Sequence, residues 1–256
     1  MNGPSAHGLS VHGLNVHGLT VNYDGISALR DVSFACAPGE VLGVVGPNGA
    51  GKSTLIKAIL GLLDVDAGTV AVGGRSASGC RADVAYLPQR SAIDWDFPAE
   101  VREVVAMGRY VHNRTLGRLG RRERRLAAVA LDQVDMAAFA RRQIGELSGG
   151  QQQRVLFARA LAQHARVYLL DEPFTGVDAM TRKVLEDRIR ALAAGGAVVV
   201  VVDHDLAGLS DRYDTLLILA RRVIACGRPE EVFTGPLLAR AYGAVPAPIG
   251  ALVQGV

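Results

Sequence analysis

Residues 46–54 read Gly46-Pro47-Asn48-Gly49-Ala50-Gly51-Lys52-Ser53-Thr54, a complete G-x-x-x-x-G-K-[ST] loop between the apolar stretch Val41–Val45 and a run of helical character, Leu55–Leu63. A strand, a glycine-rich turn and a helix in that order form a cradle for phosphate. Glycines at 46, 49 and 51 let backbone N–H groups close around several negative charges, and the following helix offers its positive end. Lys52 then reaches the outer phosphates as a point charge, and the Ser53 hydroxyl is placed to hold the Mg²⁺ that bridges them. A glycine turn with no ligand is the alternative, but the match is complete and correctly flanked. The loop predicts binding of a nucleoside triphosphate.

With 256 residues, 49% of them apolar, the chain can bury one large core carrying an inserted subdomain. Cys36, Cys80 and Cys226 are far apart and make no metal-ligand spacing, which fits a reducing compartment, by default the cytosol. The longest apolar run, Ala197–Val202, falls far short of the ~18 residues a membrane span needs, and the N-terminus has no signal-like core. A net charge of +3 is too small to argue for nucleic acid, and none is expected as a partner. The densest basic patch, Arg114, Arg118, Arg121, Arg122, Arg124 and Arg125, reads as a solvated helix face. Only Lys52, Lys57 and Lys183 are lysines among 28 basic residues, so the lysine at the phosphate position stands out.

Two further segments narrow the class. Val167–Leu170 is a short apolar strand ending in Asp171-Glu172, which puts two carboxylates at its C-terminal end. Asp171 can hold Mg²⁺ through water, and Glu172 can polarise an attacking water. Leu147-Ser148-Gly149-Gly150-Gln151-Gln152-Gln153-Arg154 precedes an apolar-periodic run to Ala162, so a serine and two glycines open a helix whose free N–H groups face outward. One chain thus has two anion-binding helix starts.

This combination resembles the ATP-binding cassette family, over nearly the whole chain from about Leu19 to about Tyr242, and the signature segment at Leu147–Arg154 matches without departure. The resemblance implies ATP and Mg²⁺ as the ligands and two cassettes paired head to tail. Ser148, Gly149, Gly150 and Gln151 of one subunit, with Asp178 from Thr175-Gly176-Val177-Asp178, would then close over ATP held in residues 46–54 of a second copy. It further implies that Tyr23 stacks on adenine, that Gln89 in Tyr86-Leu87-Pro88-Gln89-Arg90 contacts Mg²⁺ and senses a membrane partner, and that His204 reaches the γ-phosphate. Taken singly, Tyr23 is a half-buried strand residue, Gln89 a loop residue and His204 a strand-end histidine; their order and spacing favour the family roles. Two positions depart from the usual pattern. Thr175-Gly176-Val177 replaces serine-alanine-leucine, and Asp203 replaces a small hydroxyl residue, adding a carboxylate next to His204 in sequence.

Apolar pieces at Thr20–Tyr23, Val32–Ala35 and Thr69–Val72, then Val41–Val45, Val167–Leu170 and Ala197–Val202, alternate with helical stretches at Val101–Met107 and Arg121–Val134. The fold class expected is α/β: a P-loop NTPase core with a parallel sheet, an N-terminal antiparallel β subdomain and an inserted helical subdomain. The ATPase domain is expected over 18–242 with the helical insert at about 90–160, residues 243–256 forming a tail. Residues 1–17 carry His7, His12 and His17 in a five-residue repeat. Imidazole is the commonest transition-metal ligand, so metal binding is one reading. Period five suits neither a helix face nor a strand face, which favours a short duplication of the leading strand segment with a flexible end whose removal through residue 15 leaves the fold intact.

With no span of its own, such a cassette is expected to power a separate transmembrane permease from the cytoplasmic face of the membrane, with an extracytoplasmic solute-binding protein acting through that permease. The stretch Pro88–Pro98, continued by Val104–Tyr110, is similar to the cassettes of manganese, zinc and iron importers, and Trp95 and Phe97 suit a groove that receives a permease helix. Transport of an iron chelate or another nutrient, and a soluble ATPase that remodels a macromolecule, are the rival readings.

Overall fold

The computed structural model describes residues 13–23, 25–112 and 119–243. The chain opens with a hairpin, β1 (Leu14–Tyr23) and β2 (Ile26–Cys36), followed by β3 (Val41–Val45) and α1 (Lys52–Ile59). A second hairpin, β4 (Ala67–Val72) and β5 (Arg75–Ser76), leads to β6 (Val84–Leu87). Three helices then run through the insert: α2 (Val101–Met107), α3 (Arg121–Asp132) and α4 (Gly149–Ala162). The core resumes with β7 (Val167–Asp171), α5 (Ala179–Ala194), β8 (Val198–Val202), α6 (Leu209–Arg212), β9 (Thr215–Leu219) and β10 (Val223–Gly227). Two short helices, α7 (Pro229–Val232) and α8 (Gly235–Tyr242), follow.

Two sheets result. An antiparallel sheet has the order β2-β1-β4-β5, and a six-stranded sheet has the order β10-β9-β3-β8-β7-β6, parallel except for the β9–β10 hairpin. Period-two alternation divides the core between the two faces of the larger sheet. Leu42 and Val44 of β3 join Val200, Leu217 and α1 against the antiparallel sheet, whereas Val41 and Val45 face Val199, Val201 and the helices of the insert. Gly43, between them, faces the Tyr213 ring so closely that a Cβ would lie 2.6 Å from it. Among the described residues no helix is long and apolar enough to cross a membrane.

The structure moves two expected boundaries. α1 ends at Ile59 rather than Leu63, because Gly61 turns the chain with φ +63 where the apolar run alone suggests continuation. The division between residues 17 and 18 falls inside β1, since Leu14 and Val16 are buried in the core and His17 is an exposed strand residue. Gly18 explains why the five-residue repeat misleads. An odd period would turn Leu14 and Leu19 to opposite faces of a regular strand. Gly18 instead takes φ +59 in a bulge, its N–H donating to Ser33 Oγ at 2.8 Å, and both leucines end fully buried on one face. His7 and His12 of the repeat, Arg114 and Arg118 of the basic patch, and 244–256 of the expected tail lie outside the described residues.

Leu14→Ala is therefore expected to destabilise the protein by about 2–5 kcal/mol, the range for removing a buried leucine side chain. Urea unfolding of this variant, and of a chain lacking residues 1–15, measures it; wild-type midpoints in both would place Leu14 outside the core.

Candidate nucleotide site

The loop 46–54 runs from the C-terminal end of β3 into α1, and its glycines are needed for identifiable reasons. A Cβ on Gly46 would lie 2.1 Å from the Leu219 carbonyl oxygen, and one on Gly51, at φ +94, would strike the Ala28 oxygen and Leu29. Pro47 O accepts from Ala50 N at 3.1 Å, and Ala50 O accepts from Arg221 N, tying the loop to the end of β9. The Lys52 ammonium folds back to donate to Gly46 O at 2.6 Å and Pro47 O at 3.1 Å, so its hydrogen bonds are held by backbone oxygens around the space an anion would occupy. Asn48, Gly49, Ser53 and Thr54 complete the rim, with Asn48, Gly49 and Ser53 exposed. Tyr23 ends β1 opposite Ile26; β2 runs on past Gly51, and exposed Tyr23 stands at the open tip of this hairpin.

Asp171 and Glu172 follow β7 as expected. Asp171 is buried, and burial together with the Glu172 charge pushes its carboxyl up to about 6, against the pull of Lys52 and a hydrogen bond with the Tyr86 hydroxyl. The same contact raises Tyr86, chiefly through burial, to about 12. Burial lowers Lys52, and the two carboxylates oppose that effect. Glu172 adopts φ +51, a left-handed conformation uncommon for this residue type, and its N–H is fixed by Val202 O at 3.0 Å. Its Oε2 accepts from Gln89 Nε2 at 3.0 Å and Thr175 Oγ1 at 3.2 Å, and lies 3.6 Å from His204 Nδ1. The structure thus gathers Gln89, Glu172 and His204 from three separate segments. Ser53, Gln89 and Asp171 offer a hydroxyl, an amide oxygen and a carboxylate, a hard oxygen set suited to Mg²⁺, and a buried carboxyl with a raised pKa is one that a cation would relieve.

Asp203 does not act on His204. Its Oδ2 accepts from Arg212 Nη1 at 2.9 Å and the Tyr213 hydroxyl at 2.7 Å, and its Oδ1 accepts from Asp205 N at 2.9 Å. The carboxylate paired with His204 is Glu172, and Asp203 instead anchors the loop after β8 to α6. Thr175, noted in the sequence only as a departure, supplies a hydroxyl to the Glu172 carboxylate. Tyr86 was missed altogether, since nothing local in Val84–Leu87 marks it as a partner of Asp171.

The second anion-binding start is built differently. Ser148 and Gln151 form a capping box, Gln151 N donating to Ser148 Oγ at 3.4 Å and Ser148 N donating to Gln151 Oε1 at 2.9 Å. Gly150 packs against the cap of α5, where a Cβ would lie 3.1 Å from Asp178 Oδ2; Asp178 itself accepts from Thr181 N, which holds its carboxyl below the usual range. Among the described residues no hydrogen bond joins 148–151 or Asp178 to 46–54.

Residues 29–175 match the ABC transporter family, and the chain belongs to it. It is an ATP-hydrolysing subunit built on the ABC ATPase fold. It is 44% identical, over 87% of its own length and 88% of the relative's, to a protein of Halalkalibacterium halodurans named manganese transport system ATP-binding protein MntB. It is 49% identical, over 84% of its length and 81% of the relative's, to the zinc transport system ATP-binding protein TroB of Treponema pallidum. A solved chain of an inward-facing ABC transporter, described as of metal-chelate type, superposes with a TM-score of 0.80 at 27% identity, covering 90% of this chain and 89% of that one.

The Asp171 shift has a definite sign. Because its folded-state pKa is about 6 against 3.8 for an ordinary aspartate, its contribution to stability is fully present below about 4 and is lost as pH rises through 6. Without nucleotide or metal, Asp171→Asn is expected to gain on the order of 2–3 kcal/mol relative to wild type between pH 4 and pH 7.5. Urea unfolding at both pH values checks this; a pH-independent difference would mean the carboxyl titrates normally.

Proposed function

We propose that this chain hydrolyses ATP to drive a separate permease that imports a transition metal ion, manganese or zinc ahead of iron, from the cytoplasmic face of the membrane. The observation that carries the cargo assignment is the likeness, over most of both chains, to relatives named for manganese and zinc transport. The metal here is cargo and touches the permease rather than the cassette.

Within the site, backbone N–H groups of 46–54 and Lys52 bind the phosphates, Lys52 exchanging its two carbonyl acceptors for phosphate oxygens. Ser53, Gln89 and Asp171 would hold Mg²⁺, which would supply neutralisation of the charge developing on the phosphates. Glu172, oriented by Gln89 and Thr175, accepts the proton of the attacking water, and His204 pairs with Glu172 and faces the γ-phosphate. Tyr23 stacks on adenine. Ser148, Gly149, Gly150, Gln151 and Asp178 make no hydrogen bond to their own loop, which supports their closing over ATP bound in a second copy placed head to tail. An extracytoplasmic solute-binding protein delivers the cargo to the permease.

The two aromatics proposed to face the permease are placed differently. Trp95 is half-buried, its indole N–H donating to Arg90 O, so it supports the surface from beneath, while Phe97 is 57% exposed. An apolar hollow of about 210 Å³ lined by Ile59, Leu60, Leu62, Val84 and Tyr86 ends at the tyrosine bonded to Asp171. A permease helix seated there would lie one side chain from the magnesium ligand.

Glu172→Gln is expected to bind ATP normally and to lose roughly 10²-fold or more in turnover, because the base is removed while its shape is kept. Lys52→Ala should weaken ATP binding itself. Normal turnover in the first or normal affinity in the second would overturn the respective role. In membranes carrying chain and permease, a manganese- or zinc-loaded binding protein should stimulate hydrolysis, and Leu62→Ala with Phe97→Ala should abolish that stimulation while sparing ATP binding. Stimulation by a vitamin or peptide and by no metal would overturn the cargo assignment.

A further inference from the structure

The three consecutive glutamines that open α4 have three different jobs. Gln151 closes the capping box with Ser148. Gln153, 1% exposed, donates through Nε2 to the oxygen of Pro173, the residue after Glu172, at 3.0 Å. Gln152, also buried, donates to Ile144 O at 3.2 Å, and its Oε1 accepts both Nε (3.2 Å) and Nη2 (2.9 Å) of Arg90. Arg90 directly follows Gln89, whose amide holds Glu172. The first turn of α4 is therefore strapped on one side to the segment carrying Gln89 and on the other to the segment carrying Glu172.

Arg90 is shaped to this place. Its guanidinium lies over the Trp95 ring, 5.7 Å from the centroid, and its carbonyl accepts the Trp95 N–H, so both ends of the residue are held by the partner-facing segment. Among the described residues no carboxylate pairs with it. Gly149 packs directly on the guanidinium, where a Cβ would come within 2.8 Å of Nη1. A side chain at 149 would therefore push the guanidinium out of its present place. A planar fork taking one amide oxygen through two N–H groups fixes orientation as well as distance, which a lysine would not.

We propose that Arg90 is a positioning residue that locks the Gln89 segment to the first turn of α4, so that Gln89 and the partner-facing Ser148 and Gly149 move as one body when the docking surface around Trp95 and Phe97 is displaced. The proposal rests on the head-to-tail reading above. It makes closure of two copies over ATP depend on a side chain that touches no nucleotide.

The test uses the full chain in the Glu172→Gln background, with ATP-driven dimerisation followed by sedimentation and ATP affinity measured at protein concentrations below dimerisation. Arg90→Ala and Gln152→Leu should each weaken dimerisation roughly tenfold or more, as expected for loss of a charge-assisted fork, with monomer ATP affinity unchanged. The double variant should be no worse than either single one. Gln152→Glu keeps the acceptor for Arg90 and loses the bond to Ile144, so it should dimerise as the parent does. In otherwise wild-type chains, kcat should fall with little change in KM. Parent-like dimerisation in both Arg90→Ala and Gln152→Leu, additive losses in the double variant, or equal losses in Gln152→Leu and Gln152→Glu would each overturn the role of Arg90. Failure of Glu172→Gln alone to dimerise with ATP would instead overturn the head-to-tail reading and the proposal with it.

Discussion

Two adjacent carboxylates at the end of a buried strand, with one ammonium group facing them, set the terms for the rest of the site. Burial of Asp171, with the Glu172 charge beside it, raises the Asp171 carboxyl to about 6. Each is held by a different means. Tyr86 donates to Asp171, Gln89 and Thr175 donate to Glu172, and a left-handed backbone turns Glu172 away from the strand direction. A cation beside this pair would relieve the unfavourable electrostatics, which favours its binding there.

The parallel sheet makes this concentration of charge possible. β3, β7 and β8 end at one edge, and that edge delivers the loop 46–54, the pair Asp171-Glu172 and the segment Asp203-His204 side by side. Asp203 N donates to Val44 O and Glu172 N to Val202 O, so the segments that follow β8 and β7 are each pinned by the neighbouring strand. Asp203, Arg212, Tyr213 and Gly43 continue this pinning into the core, since the Tyr213 ring that donates to Asp203 is the one that excludes any side chain at Gly43. Aim and packing share the same atoms.

How much of this was legible depended on the distance over which each feature is specified. The phosphate loop, the acidic pair after an apolar strand and the Ser148 capping box are local patterns, read from a few consecutive residues and a rule of backbone geometry. Residues whose meaning comes from a partner far along the chain give no such signal. Tyr86, Arg90 and Gln152 carry no local motif of their own, and each is defined by a contact across the fold. Trp95 suits a docking groove by its position after Gln89, and its ring and N–H are engaged by Arg90. The start of β1 was misread for another reason: a strand interrupted by a bulge keeps no single period.

That bulge bears on how the N-terminal strand could have lengthened. Duplicating five residues within a strand reverses the facing of everything on one side of the duplication, which ordinarily ruins the copy. A glycine carried inside the repeated unit supplies its own correction, because it can take the left-handed conformation that absorbs one residue. Gly18 does this, and Leu14 and Leu19 occupy equivalent places in one layer. A further copy of the unit would stay in phase only if its own glycine took the left-handed conformation that Gly18 takes and Gly13 does not.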